Sequence, residues 1–131
     1  MTVELAMLAY AVALLFVLIL IQAAAGVQAQ GLTPMAGSRD NLKEPTAFQA
    51  RMKRVVDNHR EGLTLFAPLA LIAAVTHATS PLIPLGAQLF FYARVVHAGL
   101  YIFGVPLIRP LAWVAGIVGT GMVFLGVFQL A

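Results

Sequence analysis

The sequence predicts an all-α membrane protein, a bundle of four transmembrane helices, and three observations carry that prediction. The chain is 61% hydrophobic and only 10% charged over 131 residues, with a mean hydropathy of +0.92. A soluble domain of this size needs a charged coat, and too little charge is present to supply one. Next, apolar runs approaching the roughly 20 residues that cross a bilayer recur along the whole chain. Finally, ten of the thirteen Lys, Arg, Asp and Glu residues fall between Arg39 and Glu61, so charge is confined to one region instead of spread over a surface.

The first span is expected at about residues 3–26, since residues 5–26 are broken only by Gln22 and small residues. Glu4 with no Lys or Arg at the N-terminus lacks the basic start of a cleaved signal peptide, so the span reads as retained. Residues 28–44 hold Gly31, Pro34, Gly37 and Ser38 and read as a polar loop. A second helix, about 46–79, is two-toned: residues 48–61 are strongly charged and residues 62–78 apolar. It is too long for the bilayer, so its charged end should project into the interface. Pro68 sits inside it, which a membrane helix tolerates. Ser80 to Pro84 make an uncharged turn before a third helix at about 85–103, and a short connection leads to a fourth at about 109–130. In that fourth helix Ala112, Gly116 and Thr120 recur every four residues, a seam along which backbones pack closely. No repeat divides the chain, which reads as a single domain over 1–131.

Orientation follows from the basic residues. The loops after the first and third spans share a side, which holds Arg39, Lys43, Arg51, Lys53, Arg54, Arg60 and Arg109; the other side has no Lys or Arg. The positive-inside rule puts the basic side in the cytoplasm and both termini opposite. With no cysteine, the chain has no disulfide framework, thiolate zinc site or cysteine nucleophile. No metal site and no nucleic-acid partner is expected.

Three polar groups interrupt the apolar pattern. In the second helix Arg54, Asn58 and Glu61 fall on one face at i, i+4, i+7, with Arg51 one turn further out. Arg, carboxamide and carboxylate in a row suit a zwitterion, the Arg taking a carboxylate and the Glu an ammonium. The same residues also suit a solvated helix end touching anionic lipid. In the third helix Arg94, His97 and Tyr101 share a face at i, i+3, i+7. Arg94 lies mid-span, where a charge must face the protein interior with a partner. A buried ion pair with Glu61 and a direct ligand role are both open for it. Arg109 opens the fourth helix; alone it reads as a snorkelling residue. Yet three polar groups from three helices converge at one depth.

In these motifs the chain resembles the MAPEG family, membrane-associated proteins in eicosanoid and glutathione metabolism. R-x-x-x-N-x-x-E is met by Arg54, Asn58 and Glu61, R-x-x-H-x-x-x-Y by Arg94, His97 and Tyr101, and the Arg opening the last helix by Arg109. The resemblance implies a homotrimer, of bacterial type and inner-membrane location, with glutathione as cosubstrate bound between subunits near the cytoplasmic face. It implies that Arg51, Arg54, Asn58, Glu61, His97 and Tyr101 hold the tripeptide and that Arg109 stabilises its thiolate. Glutathione's thiol should titrate near the roughly 8.5 of a Cys side chain, and a guanidinium beside it raises the thiolate fraction. The reaction implied is transferase or peroxidase chemistry on a hydrophobic small molecule or lipid hydroperoxide.

The chain departs from the family's eicosanoid synthases at three places. Gln22, Gln28 and Gln30 stand where those members carry an Arg at the end of the first span. Asp57 stands beside Asn58 in place of a further Arg, and Trp113 or its neighbours replace a Tyr. These changes remove donors for an anion, so a second expectation is a non-catalytic membrane protein that binds lipid. A proton-coupled exporter of four short spans would need an acid deep in its first span, where this chain has only Glu4 at the very end.

Overall fold

The computed structural model describes residues 1–129. It is helical throughout, with five helices and no strand among the described residues: α1 (Val3–Gln30), α2 (Leu32–Ala36), α3 (Ala47–Val75), α4 (Leu82–Ile102) and α5 (Arg109–Val127). The expected first, second, third and fourth helices correspond to α1, α3, α4 and α5. Residue 130, the expected end of the fourth, lies outside the described residues.

The boundaries shift for local reasons. α1 runs a turn past the end of its apolar run, because Gln residues end hydrophobicity without ending a helix. It stops at Gly31, whose φ of 93° takes the chain out of helical space while its N–H still reaches the Val27 carbonyl at 2.8 Å. Gln30 is buried and donates to the Lys43 carbonyl and to Gln49, while its own oxygen accepts from the Lys43 N–H at 2.8 Å. The expected open loop is therefore tied to the end of α1, and a short helix, α2, forms within it. Thr46 caps α3 by accepting from the Gln49 N–H at 3.1 Å. α4 begins before Pro84, whose missing N–H costs nothing in a first turn, where those donors have no partner.

α3 and α4 pair at the centre, with α1 packed against both on one flank and α5 against both on the other; α1 and α5 do not touch. α3 buries Met52, Val55, Val56, His59, Leu63, Phe66, Ala70 and Ala73, a continuous stripe at helical spacing that leaves its charged residues outside. α4 and α5 approach most closely at Gly86 and Gly119: a Cβ at Gly119 would lie 2.6 Å from the Gly86 carbonyl oxygen, and one at Gly86 2.5 Å from that of Gly119. Ala112, Gly116 and Thr120 are buried as the spacing suggests, and Gly119 and Gly126 extend the seam on the same side. The outside is apolar, with Val12, Phe16, Leu20, Leu111 and Val118 each at least half exposed, as lipid-facing side chains would be.

By length and composition α1 and α5 are each sufficient to cross a membrane. α3 and α4 do not qualify on composition, because the charged first half of α3 and Arg94 in α4 dilute their apolar windows.

Candidate functional site

The α3–α4–α5 flank holds an open cavity of about 590 Å³ at the end where α4 turns into α5. Asn58 comes from α3, His97 and Tyr101 from α4, and Arg109 and Trp113 from α5; Leu107 of the connection closes the side. Leu107 has a φ of 73°, a conformation that a bulky side chain adopts only under constraint. The Arg109 guanidinium lies 4.5 Å from the centroid of the Tyr101 ring, which aims it into the cavity through a cation–π contact. The rings of His97 and Tyr101 are 4.9 Å apart. Two buried polar atoms in this wall, Asn58 Oδ1 and His97 Nδ1, have no hydrogen-bond partner among the described residues. Such atoms are costly unless a ligand or water engages them.

A narrow cleft continues from this cavity along α3, sharing Asn58 and Trp113 and adding Glu61, Gly62, Arg94 and Thr120. At about 10 Å³ it has room for roughly one water. Beyond it, sharing Leu65, Ile117 and Thr120, opens an apolar groove of about 490 Å³ between α3 and α5, lined also by Leu69 and Phe124.

The structure thus brings Asn58, His97, Tyr101 and Arg109 together, with Glu61 one turn along. It does not form the Arg94–Glu61 ion pair expected from sequence. Both ion pairs among the described residues join Asp57 to its neighbours Lys53 and Arg60. Glu61 is exposed on α3, while Arg94, only 3% exposed, turns inward and donates from Nε to His59 Nδ1 at 3.3 Å. Its guanidinium lies over Gly62, where a Cβ would be 3.7 Å away, so it passes beside Glu61 without meeting it. Arg94 Nη2 has no partner among the described residues.

Arg51 and Arg54 lie outside this cavity. The Arg51 guanidinium is 5.7 Å from the Phe48 ring and rests against Gly104 at the end of α4. Arg54 is exposed and lines a different cavity, between α1 and α3. It remains one helical turn, about 5.4 Å, from Asn58.

Sequence reasoning missed His59. It is fully buried; its Nε2 is 2.8 Å from the Ala11 carbonyl oxygen and its Nδ1 accepts from Arg94, so it links α1, α3 and α4. With Nε2 as the donor both ring nitrogens are satisfied. The signal was present: His59 occupies a position on the otherwise apolar stripe of α3. No group of His, Asp and Glu among the described residues is placed to hold a metal ion.

An all-helical chain with an apolar exterior and a polar cavity at one end defines a helical integral membrane protein. The MAPEG family model matches residues 6–128, and the chain belongs to that family. Its members generally use glutathione. No curated protein and no solved structure matches the chain.

Proposed function

We propose that the chain is a four-span membrane protein, assembled as a homotrimer, that binds glutathione and activates its thiolate against a hydrophobic electrophile or lipid hydroperoxide. The observation that carries this reading is the cavity wall itself: Arg109 held over Tyr101, beside unpartnered Asn58 Oδ1 and His97 Nδ1. Those groups offer a cation, an acceptor and a ring nitrogen that donates or accepts, which matches a tripeptide bearing an ammonium, carboxylates and amides. Glu61, exposed one turn along α3, is available to the ammonium, and Arg54 and Arg51 to the carboxylates of a ligand reaching along that helix. Arg109 stabilises the thiolate once the thiol proton has passed to solvent. With a carbon electrophile the sulfur forms a bond to that carbon while the leaving group departs with its electron pair. With a hydroperoxide the sulfur takes the terminal oxygen, the alcohol leaves, and a second glutathione displaces water from the sulfenic acid to give the disulfide. The basic end of the bundle faces the cytoplasm, where glutathione is available, and the hydrophobic partner arrives through the bilayer.

The test is direct. Purified protein in detergent should gain thermal stability with millimolar glutathione, and Asn58→Ala should lose most of that gain. Arg109→Ala should retain binding but lose conjugation of a model aryl halide by about a hundredfold, the scale of removing one donor to developing negative charge. Absence of any stabilisation by glutathione would end the proposal.

A second reading is favoured by the apolar groove between α3 and α5: a lipid-binding protein without chemistry. Lipid retained through purification, together with no conjugation or peroxidase activity in a protein that binds glutathione poorly, would decide for it.

A further inference from the structure

On the α1 flank, away from the polar cavity just described, lies a second cavity of about 610 Å³ between the last turns of α1, α2 and the first turns of α3. Its inner wall is apolar, with Ile19, Ala23, Met35 and Leu42, and its rim carries Arg39, Lys53 and Arg54; no Asp or Glu lines it. The rim is held in place. Arg39 has a φ of 66° and its Nε donates to the Met35 carbonyl at 2.8 Å, which anchors the guanidinium and leaves both Nη groups for a ligand. Gln30, through Lys43 and Gln49, ties the connection to both helices, and Met35 packs on Gly26. Two carboxylates lie near the rim: Asp57 contacts Lys53 at 2.8 Å in an exposed pair that competes weakly with a bound anion, and Asp40 follows Arg39 without forming an ion pair to it. Neither Arg39 nor Arg54 forms an ion pair with a described residue.

Three cations around one space repel one another unless an anion joins them. The height matters too: the apolar run of α1 ends beside this rim, so the cations stand at the interface and the apolar wall runs into the acyl layer. That is the polarity profile of the upper end of a phospholipid, and basic pockets between membrane helices on this side hold such head groups. A free phosphate would leave the apolar wall unused. A zwitterionic lipid would bring its own ammonium against the three cations. We propose that the α1–α2–α3 cavity binds the phosphate of an anionic phospholipid, with Arg39 and Lys53 as its ligands, Arg54 staying with the glutathione reading. The site is separate from the glutathione reading and stands without it.

The test uses the full chain in phosphatidylcholine nanodiscs with and without phosphatidylglycerol, read by native mass spectrometry and thermal stability. Phosphatidylglycerol should be retained and stabilising, inorganic phosphate should do neither, and the double variant Arg39→Gln/Lys53→Gln should bind phosphatidylglycerol roughly thirtyfold more weakly. Both side chains are exposed, so the variant should fold, and unchanged stabilisation by glutathione would show the cavity to be distinct from the polar site. Equal retention of the two lipids, equal binding by the variant, or stabilisation by inorganic phosphate alone would each overturn the proposal. Loss of glutathione stabilisation in the double variant would also overturn it, by assigning the cavity to the tripeptide.

Discussion

At the scale of single residues, the buried interior is organised around His59 and Arg94. A buried guanidinium is tolerated only with partners, and here the partner is an imidazole and not a carboxylate. The arrangement also occupies the Ala11 carbonyl, so one side chain joins three helices. Replacing His59 by Ala should leave a buried donor and leave that carbonyl without its side-chain partner, costing about 1–3 kcal/mol. Reversible denaturation in detergent would measure it; a variant as stable as the parent would show that the linkage contributes nothing. Glu61→Gln should behave differently. Glu61 is exposed and makes no ion pair among the described residues, so stability should hardly change, while glutathione affinity should fall if it receives the ammonium.

At the scale of elements, α4 and α5 are held together by the absence of side chains. A methyl at Gly119 would meet backbone atoms of Gly86 and Phe90 at 2.6 Å, which can yield only by parting the helices. Gly119→Ala should therefore destabilise by about 1–3 kcal/mol, the range for overpacking. Gly126→Ala meets the Ile83 Cγ1 at 2.6 Å and the Ile83 backbone N at 3.3 Å. Cγ1 sits at the base of a stiff, buried β-branched side chain, so the cost of this substitution should fall in the same range. Gly99→Ala meets nothing within 4 Å and should be neutral or stabilising by up to about 1 kcal/mol through helix propensity. Thermal melts of the three variants, ranked, test the packing directly. The spacing of Ala112, Gly116 and Thr120 made the seam legible, but not its closest point. That point depends on Gly86 in α4, and no pattern within one helix specifies which residue of another it will meet.

At the scale of the whole molecule, the separation of α1 from α5 by the α3–α4 pair sets two different cavities on two flanks. The proposed four-span arrangement, with its basic end cytoplasmic, is tested by single cysteines, for which the chain offers an empty background. Ser38→Cys should react with an impermeant thiol reagent only when the cytoplasmic side is open, and Thr79→Cys only from the opposite side. Both reacting from one side would overturn the topology. Cross-linking in native membranes should trap species up to three chains.

Composition and the order of apolar runs determined that this is a helical membrane protein, because hydrophobicity is a property of residues summed along a segment. Residue type at helical spacing was enough to single out Asn58, His97 and Tyr101, since they lie on faces that a 3.6-residue period makes visible; Arg109 was marked by its place at the start of the last helix. The tertiary structure alone decided which of these meet. It placed Arg54 on the α1 flank beside Arg39, turned Arg94 from Glu61 to His59, and used Gln30 to tie down a connection that reads as loop. Each depends on the rotation of one helix against another, which is set by how Gly86, Gly119 and the buried stripe of α3 pack and not by any helix alone. Of the charge clustered between Arg39 and Glu61, Arg39, Lys53 and Arg54 thus line the cavity at the end of α1, whereas the cavity at the start of α5 takes its cation from Arg109.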